Sequence, residues 1–110
     1  MIVVKAITNV NEYWGEEADD FLISYQVDVG LENILGSTDM FSFEVISTKR
    51  LSKIVESTHL EIGRGLLIMN DYDHGKVVTT VERIINLSQE EEDEETLLNI
   101  SKYFRWDMDK

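Results

Sequence analysis

The residues that come nearest to a reaction centre are Asp71-Tyr72-Asp73-His74, two carboxylates and an imidazole within four positions. Such a set would ligate a divalent cation if its side chains converged and further ligands joined from elsewhere. The competing reading is a strand-to-helix turn in which Asp71 or Asp73 caps a helix, and it is the stronger one. No HExxH or comparable ligand spacing occurs, and the other histidine, His59, stands alone between Thr58 and Leu60. Gly63-Arg64-Gly65 lacks the Lys-Ser/Thr of a phosphate loop and leads into an apolar run, so it reads as a turn. No G-x-S-x-G element is present, and nothing pairs a serine with a histidine. The cysteine count is zero, which excludes disulfides, thiol catalysis and Cys-ligated zinc. Among 22 acids carboxylate pairs arise by chance. The expectation is a protein that is not an enzyme and uses no cofactor or metal.

Charge points instead to binding. The 110 residues carry 10 Lys+Arg and 22 Asp+Glu, a formal charge of −12. That balance disfavours nucleic acid and anionic membrane surfaces, both of which are held mainly by Lys and Arg. A basic protein is the natural partner. The acids are uneven: five lie at Glu12, Glu16, Glu17, Asp19 and Asp20, and six fill residues 90–95. Tyr13-Trp14 sits inside the first cluster, and Tyr and Trp are the residues that most often anchor interfaces. That coincidence favours residues 12–20 as the contact. In the second cluster a helix begun at Glu90 would set Glu90/Glu94 and Glu91/Glu95 as like-charge i, i+4 pairs, each costing roughly 0.2–0.5 kcal/mol. A cationic partner would relieve them.

The elements that must position these groups follow from periodicity. Residues 2–10 are β-branched and read as a strand, and residues 11–20 as an acidic loop. Phe21, Ile23, Tyr25, Val27 and Val29 alternate with polar residues, as do Phe41, Phe43 and Val45, giving two strands across a turn at residues 30–38. Leu51, Ile54 and Val55 then mark a short helix behind a Ser47 or Thr48 cap, ending near Ser57. Residues 66–69 read as a strand buried on both faces. Val77, Val78, Val81, Ile84 and Ile85 form a helical stripe. Ser88-Gln89-Glu90-Glu91 matches a capping box opening a last helix with Leu97, Ile100 and Phe104 inward, and Trp106 closing the core. The order β-β-β-α-β-α-α predicts one α+β domain over residues 1–110, with an about four-stranded, mainly antiparallel sheet and about three helices on one face. No apolar run approaches the ~20 residues of a membrane span. The first residues lack the pattern of a signal peptide, so a cytoplasmic location is expected.

These residues resemble a family. Phe41-Ser42-Phe43-Glu44-Val45, the helix over residues 48–55, Gly63-Arg64-Gly65-Leu66-Leu67-Ile68, Asp71-Tyr72-Asp73 and Ser101-Lys102-Tyr103-Phe104-Arg105-Trp106-Asp107 stand in the order of the Immunity protein 8 family of bacterial polymorphic toxin systems. The likeness runs from about residue 39 to 107 and reaches the N-terminal third through Trp14 and Asp19-Asp20. A Pro and a Trp are frequent in that family at the start of the first helix, where this chain reads Ser47-Thr48-Lys49-Arg50-Leu51. The resemblance implies an immunity protein that binds and neutralises the C-terminal domain of a cognate toxin, with a basic nuclease the natural match to the charge. The candidate partner-binding residues are Tyr13, Trp14, Glu16, Glu17, Asp19, Asp20, Asp71, Tyr72, Asp73, Glu91 and Glu92. A monomer is favoured. The alternative is an acidic nucleic-acid mimic that occupies the groove of some other basic protein.

Overall fold

The computed structural model describes residues 1–36 and 38–107. Its elements run β1 (Ile2–Trp14), β2 (Phe21–Leu31), β3 (Asp39–Ser47), α1 (Thr48–Thr58), β4 (Leu66–Met69), α2 (His74–Leu87), α3 (Asp93–Ile100) and β5 (Arg105–Trp106). The first three strands form an antiparallel meander, and β4 joins β3 in parallel after the α1 crossover. The two-residue β5 pairs antiparallel with the start of β3, at Phe41 and Ser42. This is the α+β order that the sequence predicts, with β5 added, but the helices do not all share one face: α2 covers one side of the sheet and α1, the crossover between β3 and β4, lies on the other.

Alternation decides which side chains are buried. Phe21, Ile23, Tyr25, Val27 and Val29 of β2 and Phe41, Phe43 and Val45 of β3 share one face. Val77, Val81, Ile84 and Ile85 of α2 cover it, with Ile100 of α3 and Phe104 just beyond that helix. Phe43 stacks between Tyr25 (5.2 Å) and Phe104 (4.6 Å), and Trp106 closes over Phe41 at 5.6 Å. The opposite row, Tyr13, Leu22 and Ile46, is set by the pairings Tyr13↔Leu22 and Leu22↔Ile46. α1 contributes no buried residue and lies beside that row, with the Arg50 guanidinium 4.6 Å from the Tyr13 ring centroid. Ser47 fixes where α1 begins: its buried hydroxyl accepts from Arg50 N–H at 3.0 Å and from Phe21 N–H at 3.1 Å. One oxygen thus caps the helix and ties down the first residue of β2, a cap worth about 1 kcal/mol.

Three local expectations are corrected. β1 does not stop at residue 10 but continues to Trp14, because Asn11 to Trp14 pair with Ser24 to Phe21; a register shift between Asn9 and Asn11 absorbs the polar residues. The capping box does not form. Ser88 ends α2, donating its hydroxyl to Ile84 C=O at 2.7 Å, and α3 begins at Asp93. Glu90 and Glu91 therefore precede the helix, and the expected i, i+4 repulsions do not arise; Asp93, Glu94 and Glu95 occupy the first turn, where the helix dipole favours acids. Finally, β4 is not buried on both faces. It has β3 as its one strand neighbour among the described residues, and Ile68 is 52% exposed. No helix among the described residues is long and apolar enough to cross a membrane.

Candidate partner-binding surface

One end of the sheet gathers nine of the eleven candidates. β1 ends at Trp14 opposite Phe21, and the chain turns through residues 15–20 to begin β2. Gly15 is required there: its N–H donates to Asp20 C=O at 2.8 Å, and a Cβ would fall 2.3 Å from Asp20 Oδ2. α1 starts at the same end and sends its cations into the acidic loop. Arg50 grips Asp20 in a fork, Nε to Oδ1 at 2.7 Å and Nη2 to Oδ2 at 2.9 Å, and Lys53 adds a bond at 2.6 Å. Lys49 pairs with Glu17 at 2.7 Å and Asp19 at 3.0 Å. Asp20, 1% exposed, presents no surface to a partner and instead sets the shape of the loop. Among the described residues Glu16 has no hydrogen-bond or ion-pair partner, so it is the free acid of this cluster.

Trp14, Phe21 and Tyr72 converge here. Trp14 lies on the core side of β1 and Tyr13 on the other, 41% and 49% exposed. Tyr72 arrives from the segment between β4 and α2 and meets Trp14 edge-on at 5.9 Å and Phe21 at 5.8 Å. Trp14 in turn tilts against Phe21 at 5.2 Å, and its Nε1 donates to Glu12 at 2.9 Å. That bond, with one from Asn9, holds the Glu12 carboxyl below its usual range. Behind Tyr72 a hydrogen-bonded chain runs from its hydroxyl to the Tyr25 hydroxyl and on to His74 Nδ1 at 2.7 Å. Burial first, and the Tyr72 bond second, raise the Tyr25 pKa, so its phenol stays neutral. The Asp-Tyr-Asp-His run therefore does not converge on a cation: Asp73 accepts from Lys76 N–H at 3.2 Å as the α2 cap, while His74 turns to Tyr25.

Glu91 and Glu92 stand apart. Gln89, just before them, donates to Ile2 C=O at 2.9 Å, which places the run at the opposite end of β1 from Trp14. Twelve strand steps separate Ile2 from Trp14, about 40 Å at ~3.3 Å per residue, and the molecule is 44 Å along its longest axis. No ion pair holds any acid of residues 90–95 among the described residues. The loop favoured for its coincidence of acids and aromatics is thus largely neutralised from within, and the other run is not. Lys49, Arg50 and Lys53 went unread as functional; their clustering just after a strand that ends beside an acidic loop was the available signal.

The Asp20 cluster makes a pH prediction. Hydrogen bonds from Arg50, then Lys53, hold the Asp20 carboxyl below its ordinary 3.8. A depressed folded pKa gives stability that is fully present above the unfolded value and lost as pH falls through the folded one. The urea midpoint of the unaltered chain should exceed that of Asp20→Asn by a constant amount above about pH 5. The gap should close as the pH falls below 4. A gap that does not narrow would mean that the ionised carboxylate is not what holds the loop.

A family model described as Immunity protein 8 matches residues 2–110, extending the likeness through the N-terminal strands. No curated protein and no solved structure matches the chain. With a match over essentially its whole length, this chain belongs to the Immunity protein 8 family.

Proposed function

We propose that this protein neutralises a cognate toxin domain in the cytoplasm by occupying it, without turnover, through the end of the sheet that carries Tyr13, Trp14 and Tyr72. Family membership supports the immunity role. The observation that carries the placement is the contact of half-exposed Trp14 with Tyr72, with half-exposed Tyr13 on the other side of the same strand end and the acids Glu16, Asp71 and Asp73 close by in sequence. Aromatic anchors ringed by polar groups are where interface energy concentrates. A charge of −12 fits a basic toxin, of which a nuclease that must attract phosphate is the natural example. The acids at residues 90–95 lie several screening lengths from this surface at physiological salt, where the Debye length is about 8 Å. At that distance they act on encounter alone, and weakly, without touching the partner in its final position.

The test is protection in a sensitive bacterium expressing the toxin domain encoded beside this chain, with co-purification of the two proteins. Paired reversals then locate the contact. Glu16→Lys with Glu17→Lys should weaken the complex roughly tenfold, through dissociation as well as association. Glu91→Lys with Glu92→Lys should change association alone, by about threefold or less. The opposite ranking would move the interface to the far end. Failure to protect against an active toxin, with binding to unrelated basic proteins that vanishes in high salt, would favour the nucleic-acid mimic.

A further inference from the structure

β1 and β4, outer strands on opposite sides of the sheet, are guarded differently. β1 carries register shifts after Val4 and after Asn9, and its sequence includes Lys5, Asn9, Asn11 and Glu12. Shifts and charges of this kind keep an edge from pairing with another chain. β4 reads Leu66-Leu67-Ile68-Met69, with no charge and no proline, and its shortness is its one safeguard. Glu44 N–H donates to Gly65 C=O at 2.8 Å, which sets the phase of the parallel ladder. Alternate residues of such a strand turn both backbone groups to the same side. Leu67 and Met69 therefore face β3, and Ile68 turns its N–H and C=O outward. The neighbouring Leu66 N–H is taken by Gly63 C=O at 3.1 Å, so Leu66 offers its carbonyl alone. Alongside lies a groove of about 360 Å³ between β4 and α2, lined by Leu67, Met69, Lys76, Val77 and Thr80 among others.

We propose that the toxin adds a β-strand to the free edge of β4, pairing with the backbone of Ile68 and setting side chains into the groove between β4 and α2; this rests on the immunity role proposed above. Strand addition draws affinity from main-chain bonds and specificity from pockets for alternate side chains, and both are present here. The edge is continuous with the aromatic surface, because β4 runs directly into the segment that places Tyr72 on Trp14. One partner strand followed by one loop would cover both. A second copy of this chain is a poor occupant, since it would bring another −12 charges to the contact. A strand bearing Lys or Arg would find Asp73 in the adjoining hollow, which shares Lys76 and Thr80 with the groove.

Amide hydrogen exchange tests this on the free chain and on its complex with the toxin domain encoded beside it. The Ile68 amide should slow at least tenfold in the complex, while the Leu67 amide, already bonded to β3, changes little. Ile68→Pro removes the outward donor and no bond to β3, and proline is tolerated at strand edges. It should weaken the complex at least tenfold with the circular dichroism spectrum retained. If that variant does not fold, exchange in the unaltered chain decides. A complex that leaves the Ile68 amide unprotected overturns strand addition and leaves the immunity role standing, whereas no complex with an active toxin overturns both. Protection that rises with protein concentration in the absence of toxin overturns the proposal in favour of self-association.

Discussion

Trp14→Ala is expected to weaken the toxin complex by about 2–4 kcal/mol, roughly 30- to 700-fold in Kd, with protection of cells lost in parallel. The ring is 41% exposed, so it has surface to offer. It is also held on three sides: by Phe21 at 5.2 Å, by Tyr72 at 5.9 Å and by the Nε1 bond to Glu12 at 2.9 Å. A side chain fixed before binding loses little rotamer freedom on binding, which removes one of the main costs of association. Trp14→Phe should recover part of the loss, because it restores ring area without the Glu12 bond. Calorimetric titration gives Kd, and thermal unfolding of the same variants checks the fold. A folded Trp14→Ala protein that binds with unchanged Kd would remove this end of the sheet as the contact.

Phe43→Ala should lower folding stability by about 3–5 kcal/mol, read from the urea midpoint at constant m-value. Phe43 is fully buried and stacked between Tyr25 and Phe104, so it joins β2, β3 and the segment after α3 in one column of rings. Neighbours fixed in separate segments of the fold cannot collapse far into the space it leaves. Against a total of about 5–15 kcal/mol for a domain of this kind, the loss is large. Protection in cells should then fall through reduced abundance, even where the purified variant still binds toxin. A cost below about 1.5 kcal/mol would mean that Tyr25 and Phe104 close the gap.

The parts of the fold that local pattern determines were legible. Strict alternation placed β2 and β3, and the stripe Val77, Val81, Ile84 and Ile85 placed the buried face of α2. Ser47 and Asp73 act as the caps, each one of the two candidates that the sequence offers at its helix start. The errors fall where a distant partner decides. Asn11 and Glu12 look like loop residues, yet β2 supplies the ladder that keeps them extended. Leu66 to Met69 look doubly buried because an apolar run does not reveal how many strands flank it. Ser88 had two helix ends within reach, and the backbone of α2 took its hydroxyl. The candidate surface was half legible: residue types singled out Tyr13, Trp14, Glu16, Glu17, Asp19, Asp20, Asp71, Tyr72 and Asp73, which share one end of the sheet. Nothing local said that Tyr72 would touch Trp14, or that cations of α1 would discharge the loop between β1 and β2.

One edge of β3 is completed by two separate stretches: β4 beside Glu44 to Ser47, and β5 beside Phe41 and Ser42. Both come later in the chain than β3, one after the α1 crossover and the other after α3. During vectorial synthesis the β1–β2–β3 meander can therefore assemble while the outer side of β3 still lacks neighbours. Until the last of these stretches emerges, a nascent chain presents Phe41 without Trp106 over it and a strand margin open to any similar strand nearby. Messages truncated before Trp106 would yield products that are hazards to the cell making them, independently of any toxin.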